Sequence, residues 1–240
     1  MPPLLLCFLG LKFNLVTVVV KMNLHKPSKL AKTKKFFQQK ESQTITKHII
    51  LESYLRPWAM IARKYFPTAC YIDGFAGPGR YDTGEECSPV IAARILQEES
   101  GANMSFCCFN VELDKELYYR LEKETDEFRK NMVIINYHGS FDVRIREILA
   151  EINKINRCLA FFFIDPFGYA DANYSHFEMI AQNEKTEVLL NFAYDSIQHW
   201  STQTPEAVTA LFGTDEWQSI MFNGLRKEKE KKLLDLLRNK

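Results

Sequence analysis

With 240 residues, 46% of them apolar, the chain can bury one sizeable core, so one main domain is the default. A formal net charge of +1 singles out no partner class. Six cysteines without a C-x-x-C pair, or a histidine at metal-ligand spacing, give no sign of a metal site and fit a reduced, cytosolic setting.

Residues 4–20 are apolar but broken by Lys12 and Asn14. They lack the leading positive charge and small-residue cleavage site of a signal peptide, and fall short of the ~20 clean apolar residues of a spanning helix. They read as an appendage outside the domain, upstream of a start at Met22, with a weak membrane anchor as the alternative; no stable membrane insertion is expected. From Lys21 to Lys47 there are eight lysines and one acid, Glu41, and residues 22–40 read as a basic linker. Such a flank is either a solvated tail or a contact for a polyanion. Residues 41–66 carry apolar positions at helical spacing (Ile45, Ile49, Ile50, Leu55, Trp58, Ile61), interrupted at Pro57, which predicts two helices or a kink.

Beyond Pro67 the pattern alternates. Near-continuous apolar runs at 69–73, 104–111, 132–136, 158–164 and 187–193 predict strands covered on both faces. The segments 89–99, 114–130, 142–156 and 173–183 predict helices between them. Ser88-Pro89 suits a helix start, Asp114 an N-cap, and Asp142 the cap of the next helix. The expected architecture is a doubly wound α/β fold, a mostly parallel sheet with helices on both faces, and no strand is evident after residue 193. The expected organisation is an appendage and linker over 1–40, an α/β domain over 41–193, and a helical segment over 194–240. The last helix, Lys227 to Arg238, reads as a cut rather than a finish.

The stretch Tyr71-Ile-Asp-Gly-Phe-Ala-Gly-Pro-Gly79 ends a buried strand in an acid and three glycines. Glycine permits positive φ and close approach of a ligand to the backbone, and the following helix offers free N–H groups. An ordinary tight turn is the plainer alternative. Glu112 ends the next strand, where an acid accepts hydrogen bonds from ribose hydroxyls; a surface acid near a helix start is the alternative. Asp165-Pro166-Phe167-Gly168 leaves the fourth strand at the same expected edge. There the Asp165 carboxylate and Pro166 carbonyl can accept an amine's N–H groups while Phe167 stacks on an aromatic base. His138 and Ser140 follow the third strand, and His138 reads as a base or as a structural loop histidine. Asn191 and Tyr194 end the fifth strand and are available to line a site.

Taken together, Lys34-Lys-Phe-Phe37, Lys47-His-Ile-Ile-Leu51, the glycine stretch, Gly84, Ser88-Pro89, Glu112 and Phe163-Ile-Asp-Pro-Phe-Gly168 resemble the three-Cys-motif partner proteins, from about Lys34 to the end. That bacterial family is similar to class I S-adenosylmethionine-dependent methyltransferases. The resemblance implies a Rossmann-like methyltransferase fold and S-adenosylmethionine as cofactor. Asp73, Gly74, Phe75, Ala76, Gly77 and Gly79 would wrap its amino-acid part, with Glu112 on its ribose. Asp165, Pro166 and Phe167 would take the acceptor side, as catalytic residues. Ser140 stands where such enzymes often carry an acid toward the adenine, with Asp142 two residues on. The turn after Asp165 differs from the Asp-Pro-Pro-Tyr type, and the sixth and seventh strands of the fold are not evident. A neighbouring three-cysteine protein is the implied partner.

The expected function is therefore an S-adenosylmethionine-dependent methyltransferase acting on an amine, such as one on a nucleic-acid base, in the cytoplasm. The alternative is a non-catalytic module of the same fold that binds an adjacently encoded protein or nucleic acid. A nicotinamide dehydrogenase fits less well, because the loop reads Gly-Phe-Ala-Gly-Pro-Gly rather than Gly-x-Gly-x-x-Gly.

Overall fold

The computed structural model of the chain describes residues 17–21, 42–101, 104–166, 172–183, 185–192, 194–222 and 224–238. Six strands form one sheet: β1 (Thr17–Lys21), β2 (Thr68–Asp73), β3 (Ser105–Glu112), β4 (Val133–His138), β5 (Cys158–Ile164) and β6 (Thr186–Phe192). Every neighbouring pair is parallel and the order is β1-β6-β5-β2-β3-β4. Helices α1 (Ser42–Tyr65), α2 (Ser88–Glu99), α3 (Lys115–Thr125), α4 (Phe141–Lys154) and α5 (Tyr174–Ala181) accompany it. The short helices α6 (Tyr194–Gln203), α7 (Pro205–Phe212), α8 (Glu216–Phe222) and α9 (Arg226–Arg238) follow.

The strand sequences are apolar along their length because both faces are covered. All of β5 is buried. Alternate side chains divide between two cores. Cys70, Ile72, Phe109, Val111, Phe162 and Ile164 meet α4, α5 and the C-terminal helices. Tyr71, Phe106, Cys108, Phe161 and Phe163 meet α1 and α2. On that second face Phe161 is the hub, with Tyr54 and Trp58 of α1 both at 5.4 Å and Tyr71 at 6.0 Å between ring centroids. Aromatic pairs of this kind contribute roughly 0.5–1.5 kcal/mol each beyond area burial, and they anchor α1 to the sheet.

From β2 the chain steps through β3 to β4 on one side, then returns to β5 and β6 on the other. The reversal falls between β2 and β5, the two central strands. Loops leaving their carboxyl ends part from each other there and open a crevice, the usual place for a ligand in a doubly wound sheet.

Four local readings are corrected. Residues Thr17–Lys21, expected in an appendage outside the domain, form the edge strand beside β6. The valine-rich end of that apolar run supplies a sixth strand from upstream of the domain. Of the two alternatives at Pro57, two helices are overturned: α1 is a single helix with Pro57 inside it. Pro57 and Ser53, whose carbonyl loses its donor, are both exposed, a setting in which solvent can compensate the missing bond. Ser88 is the first residue of α2 rather than its cap, which is Cys87. Ser140, not Asp142, precedes α4 as its N-cap residue. Asp114 caps α3 as expected, accepting from the N–H groups of Glu116 at 2.8 Å and Leu117 at 3.0 Å.

No helix among the described residues is long and apolar enough to cross a membrane. The free cysteines Cys70, Cys87, Cys107, Cys108 and Cys158 are buried, and no metal-binding group of side chains occurs among the described residues.

Gly79 has φ +84°, and a Cβ there would stand 2.8 Å from the Cβ of Glu124 on α3. Gly79→Ala is therefore expected to lower unfolding stability by roughly 1–3 kcal/mol, read from urea transitions. An unchanged midpoint would show that the loop relaxes freely.

Candidate functional site

Register brings three acids to one rim. In the sheet Asp73 lies opposite Asn110 of β3 and Phe163 of β5. Glu112 is two residues beyond Asn110, and Asp165 two beyond Phe163. All three leave the carboxyl ends of adjacent parallel strands, as the sequence pattern predicted.

Their environments differ. Asp73 is fully buried. Its Oδ2 accepts from the Tyr71 hydroxyl at 2.9 Å and its Oδ1 from the Phe75 N–H at 3.1 Å, and Ser88 adds a further hydrogen bond. Burial nonetheless dominates and pushes the Asp73 carboxyl up to about 7, against the lowering effect of its donors. Asp73 thus fastens the loop to its own strand and to the start of α2.

Glu112 is buried as well. Its Oε2 accepts from the Gly77 N–H at 2.8 Å and its Oε1 from the Asp114 N–H at 2.7 Å. Burial pushes the Glu112 carboxyl above the usual carboxylate range, and its backbone donors oppose the rise. Gly77 adopts φ +67°, the left-handed conformation that glycine takes without strain. Each carboxylate oxygen keeps a further lone pair, so Glu112 can still accept from a ligand hydroxyl.

The glycine loop is closed from within. The N–H of Gly74 donates to the Phe163 carbonyl at 3.0 Å and that of Ala76 to the Val111 carbonyl at 2.9 Å. With Phe75 on Asp73 and Gly77 on Glu112, four successive N–H groups are committed to the protein. A Cβ on Gly74 would meet Ile164 and Phe141 at 3.1 Å. Gly74 and Gly79 are thus required by internal packing. The predicted helix start does not follow the loop directly. Residues 80–87 first make a small excursion, closed by the Cys87 N–H on the Gly79 carbonyl at 2.8 Å and a bridge between Arg80 and Glu86.

Asp165 is half-buried and already holds an amine. Lys47 Nζ, from α1, lies 2.7 Å from Oδ1 and 2.8 Å from Oδ2, and Asn191 Nδ2, from β6, donates to Oδ1 at 2.7 Å. Pro166 follows, half-buried. Phe167 and Gly168 lie outside the described residues, so the expected stacking ring has no structural account. Ser140 heads α4, half-buried, and its carbonyl takes the Arg144 N–H at 3.1 Å. Asp142 accepts from the buried His176 ring, Nε2 to Oδ1 2.8 Å. The Asn173 N–H donates to Nδ1 at 3.2 Å, which leaves the ring proton on Nε2. His138 is exposed, its ring 5.4 Å from that of Tyr118. Tyr194 is buried under the guanidinium of Arg226 at 5.2 Å. A cavity of about 560 Å³ between α5 and α7 is lined by Asn173, Tyr174, Ser175, Glu178, Ala210 and Gly213, none of them a predicted site residue.

Sequence reasoning quoted Lys47, Tyr71 and Ser88 within motifs but gave none of them a role at the site. Lys47 is one of eight lysines in its stretch, and its pairing with Asp165 has no local signal. Tyr71, two residues before Asp73 on the same strand face, carried the only available signal.

No family model matches the chain, and no curated protein matches it. The likeness to three-Cys-motif partner proteins therefore rests on the motifs alone. Among solved structures, a crystal structure titled as the O-methyltransferase from Bacillus cereus in complex with SAH is similar at 13% identity. It covers 80% of this chain and 84% of that one, with a TM-score of 0.38, too low to assign an activity.

A carboxyl whose folded-state value is raised makes its full contribution to stability below its unfolded value and loses it as pH rises through the folded one. Asp73 should therefore weaken the fold between about pH 4 and pH 7. Urea midpoints of the unaltered chain are expected to fall more steeply across that window than those of Asp73→Asn. Parallel profiles would refute the assignment.

Proposed function

We propose that the chain is an S-adenosylmethionine-dependent methyltransferase whose acceptor is an amine on a nucleic-acid base. One observation carries the choice of cofactor class. A dinucleotide loop needs free N–H groups for its pyrophosphate, and here those of Gly74, Phe75, Ala76 and Gly77 are all used inside the protein. What the rim retains is acceptors: the spare lone pairs of Glu112 and the loop carbonyls. That inventory suits a nucleoside without phosphates, bound through hydroxyl and ammonium donors.

In this reading Glu112 accepts from the ribose hydroxyls while still tethering Gly77. The loop from Asp73 to Gly79 takes the amino-acid part, with Asp73 holding the loop's shape. The cofactor supplies an electrophilic methyl on a sulfonium. The protein's share is positioning, which converts a bimolecular step into a local one. Asp165 and Pro166 stand on the other side of the crevice, facing the acceptor, and Ser140 borders the adenine. The motifs further support placing the chain among the three-Cys-motif partner proteins, in the cytoplasm, with an adjacently encoded three-cysteine protein as partner. The Lys47–Asp165 ion pair, which already occupies the acceptor carboxylate, favours as a second reading a module of this fold that binds without turnover.

Titration calorimetry separates these readings. The chain is expected to bind S-adenosylmethionine saturably, at least tenfold more weakly after Glu112→Gln, and to give no response to NADH. Radiolabelled methyl from the cofactor should then enter a nucleic-acid pool. Binding without label transfer selects the second reading, and a folded chain that binds no S-adenosylmethionine overturns the first.

A further inference from the structure

On the acceptor side, one buried polar atom has no partner. Asn191 is 8% exposed, and its side-chain oxygen Oδ1 makes no hydrogen bond among the described residues, although Nδ2 donates to Asp165 at 2.7 Å. The orientation is dictated by chemistry: a carboxylate only accepts, so the NH2 end of Asn191 must face Asp165 and the carbonyl end must face away. A buried acceptor left unmet is costly in a folded protein, and it marks a place where a donor belongs.

The same Asp165 oxygen is 2.7 Å from Lys47 Nζ, so Lys47 and Asn191 flank one atom. An ammonium has three N–H donors. Two are engaged by Oδ1 and Oδ2 of Asp165, and the third has no protein partner among the described residues. The cluster is not sealed: the side chains of Lys47 and Asp165 are 14% and 21% exposed. Around one Asp165 oxygen it thus holds one unmet acceptor, the buried Asn191 oxygen, and one unmet donor on Lys47, with its charges mutually cancelled.

This arrangement discriminates among ligands. A cationic alkyl amine finds its natural counter-charge taken by Lys47. An anion finds the lysine neutralised by Asp165 and the Asn191 oxygen repulsive. A neutral planar group with an N–H beside an acceptor atom satisfies both open positions at once.

We infer that Lys47, Asp165 and Asn191 form a recognition site for the edge of a nucleobase that carries an exocyclic N–H next to a ring acceptor. Asn191 Oδ1 accepts the N–H, Lys47 donates to the ring acceptor, and Asp165 is the positioning residue that orients both. A base is favoured over a side-chain carboxamide by the proposed function and by the lysine-rich sequence from Lys21 to Lys47, a composition suited to phosphate contacts. The inference rests on the proposed methyltransferase reading, whose acceptor side this cluster forms.

The test is titration of the full chain, followed by NMR shifts, with 1-methylcytosine, its N4,N4-dimethyl derivative, acetamide and propylammonium, each with and without S-adenosylhomocysteine. Expected are saturable binding of 1-methylcytosine, at least tenfold loss on dimethylation of the ligand, and a similar loss in Asn191→Ala and Lys47→Met chains of unchanged melting temperature. The ligand-side comparison needs no variant and holds if either one misfolds. Equal binding of the dimethyl derivative, binding of propylammonium as tight as that of 1-methylcytosine, or binding of acetamide alone would overturn the inference. Binding of 1-methylcytosine without S-adenosylhomocysteine binding removes the methyltransferase reading and keeps this site. The converse result keeps that reading and removes this site.

Discussion

The carboxylate of Glu112, gripping one N–H on the glycine loop and another at the mouth of α3, is the constraint on which the rim of this protein depends. It ties the loop after β2 to the end of β3. With Gly74 on Phe163 of β5 and Ala76 on Val111 of β3, the loop is bound to both neighbours of its own strand. A loop pinned in this manner is a rigid wall of the crevice. Its glycines serve shape first: Gly77 takes a positive φ that aims its N–H at the carboxylate, and Gly74 and Gly79 make room for neighbouring side chains.

Across the crevice the wall is built differently. Asp165 follows a strand buried along its whole length, but its partners come from remote elements, Lys47 of α1 and Asn191 of β6. The same turn of α1 reaches the other wall, where His48 lies 6.2 Å from the ring of Tyr81 in the excursion after the glycine loop. Helix α1 therefore spans the point where strand order reverses, held there by Tyr54 and Trp58 against Phe161. Packing energy in the core thus fixes a charged contact at the rim.

The three rim acids illustrate how burial and donors divide roles among identical groups. Asp73, with no exposure and three donors, is a structural clasp whose proton affinity is raised by desolvation. Glu112, nearly as buried, keeps lone pairs beyond its two backbone donors. Asp165, open to solvent on one side, is matched by an ammonium. Residue type alone does not separate them; the count of donors and the depth of burial do.

Much of this was legible in the chain itself. Apolar runs of strand length separated by helical periods specify a parallel sheet covered on both faces, because only such a sheet buries every residue of a strand. Acids at the ends of those runs had to reach one edge, since parallel strands share a direction, and Asp114 before Lys115 reads as a cap because its carboxylate reaches N–H groups two and three residues on. What tertiary structure decided were the contacts of long sequence separation. Lys47 meets Asp165 across 118 residues, and no local pattern distinguishes it from its neighbouring lysines. Thr17–Lys21 becomes a strand only because β6 offers an unpaired edge, and Ser88 turns from a cap into a partner of Asp73 only when α2 packs beside β2. Local periodicity encodes which face each residue buries, whereas partners chosen across the crevice depend on how those faces are assembled.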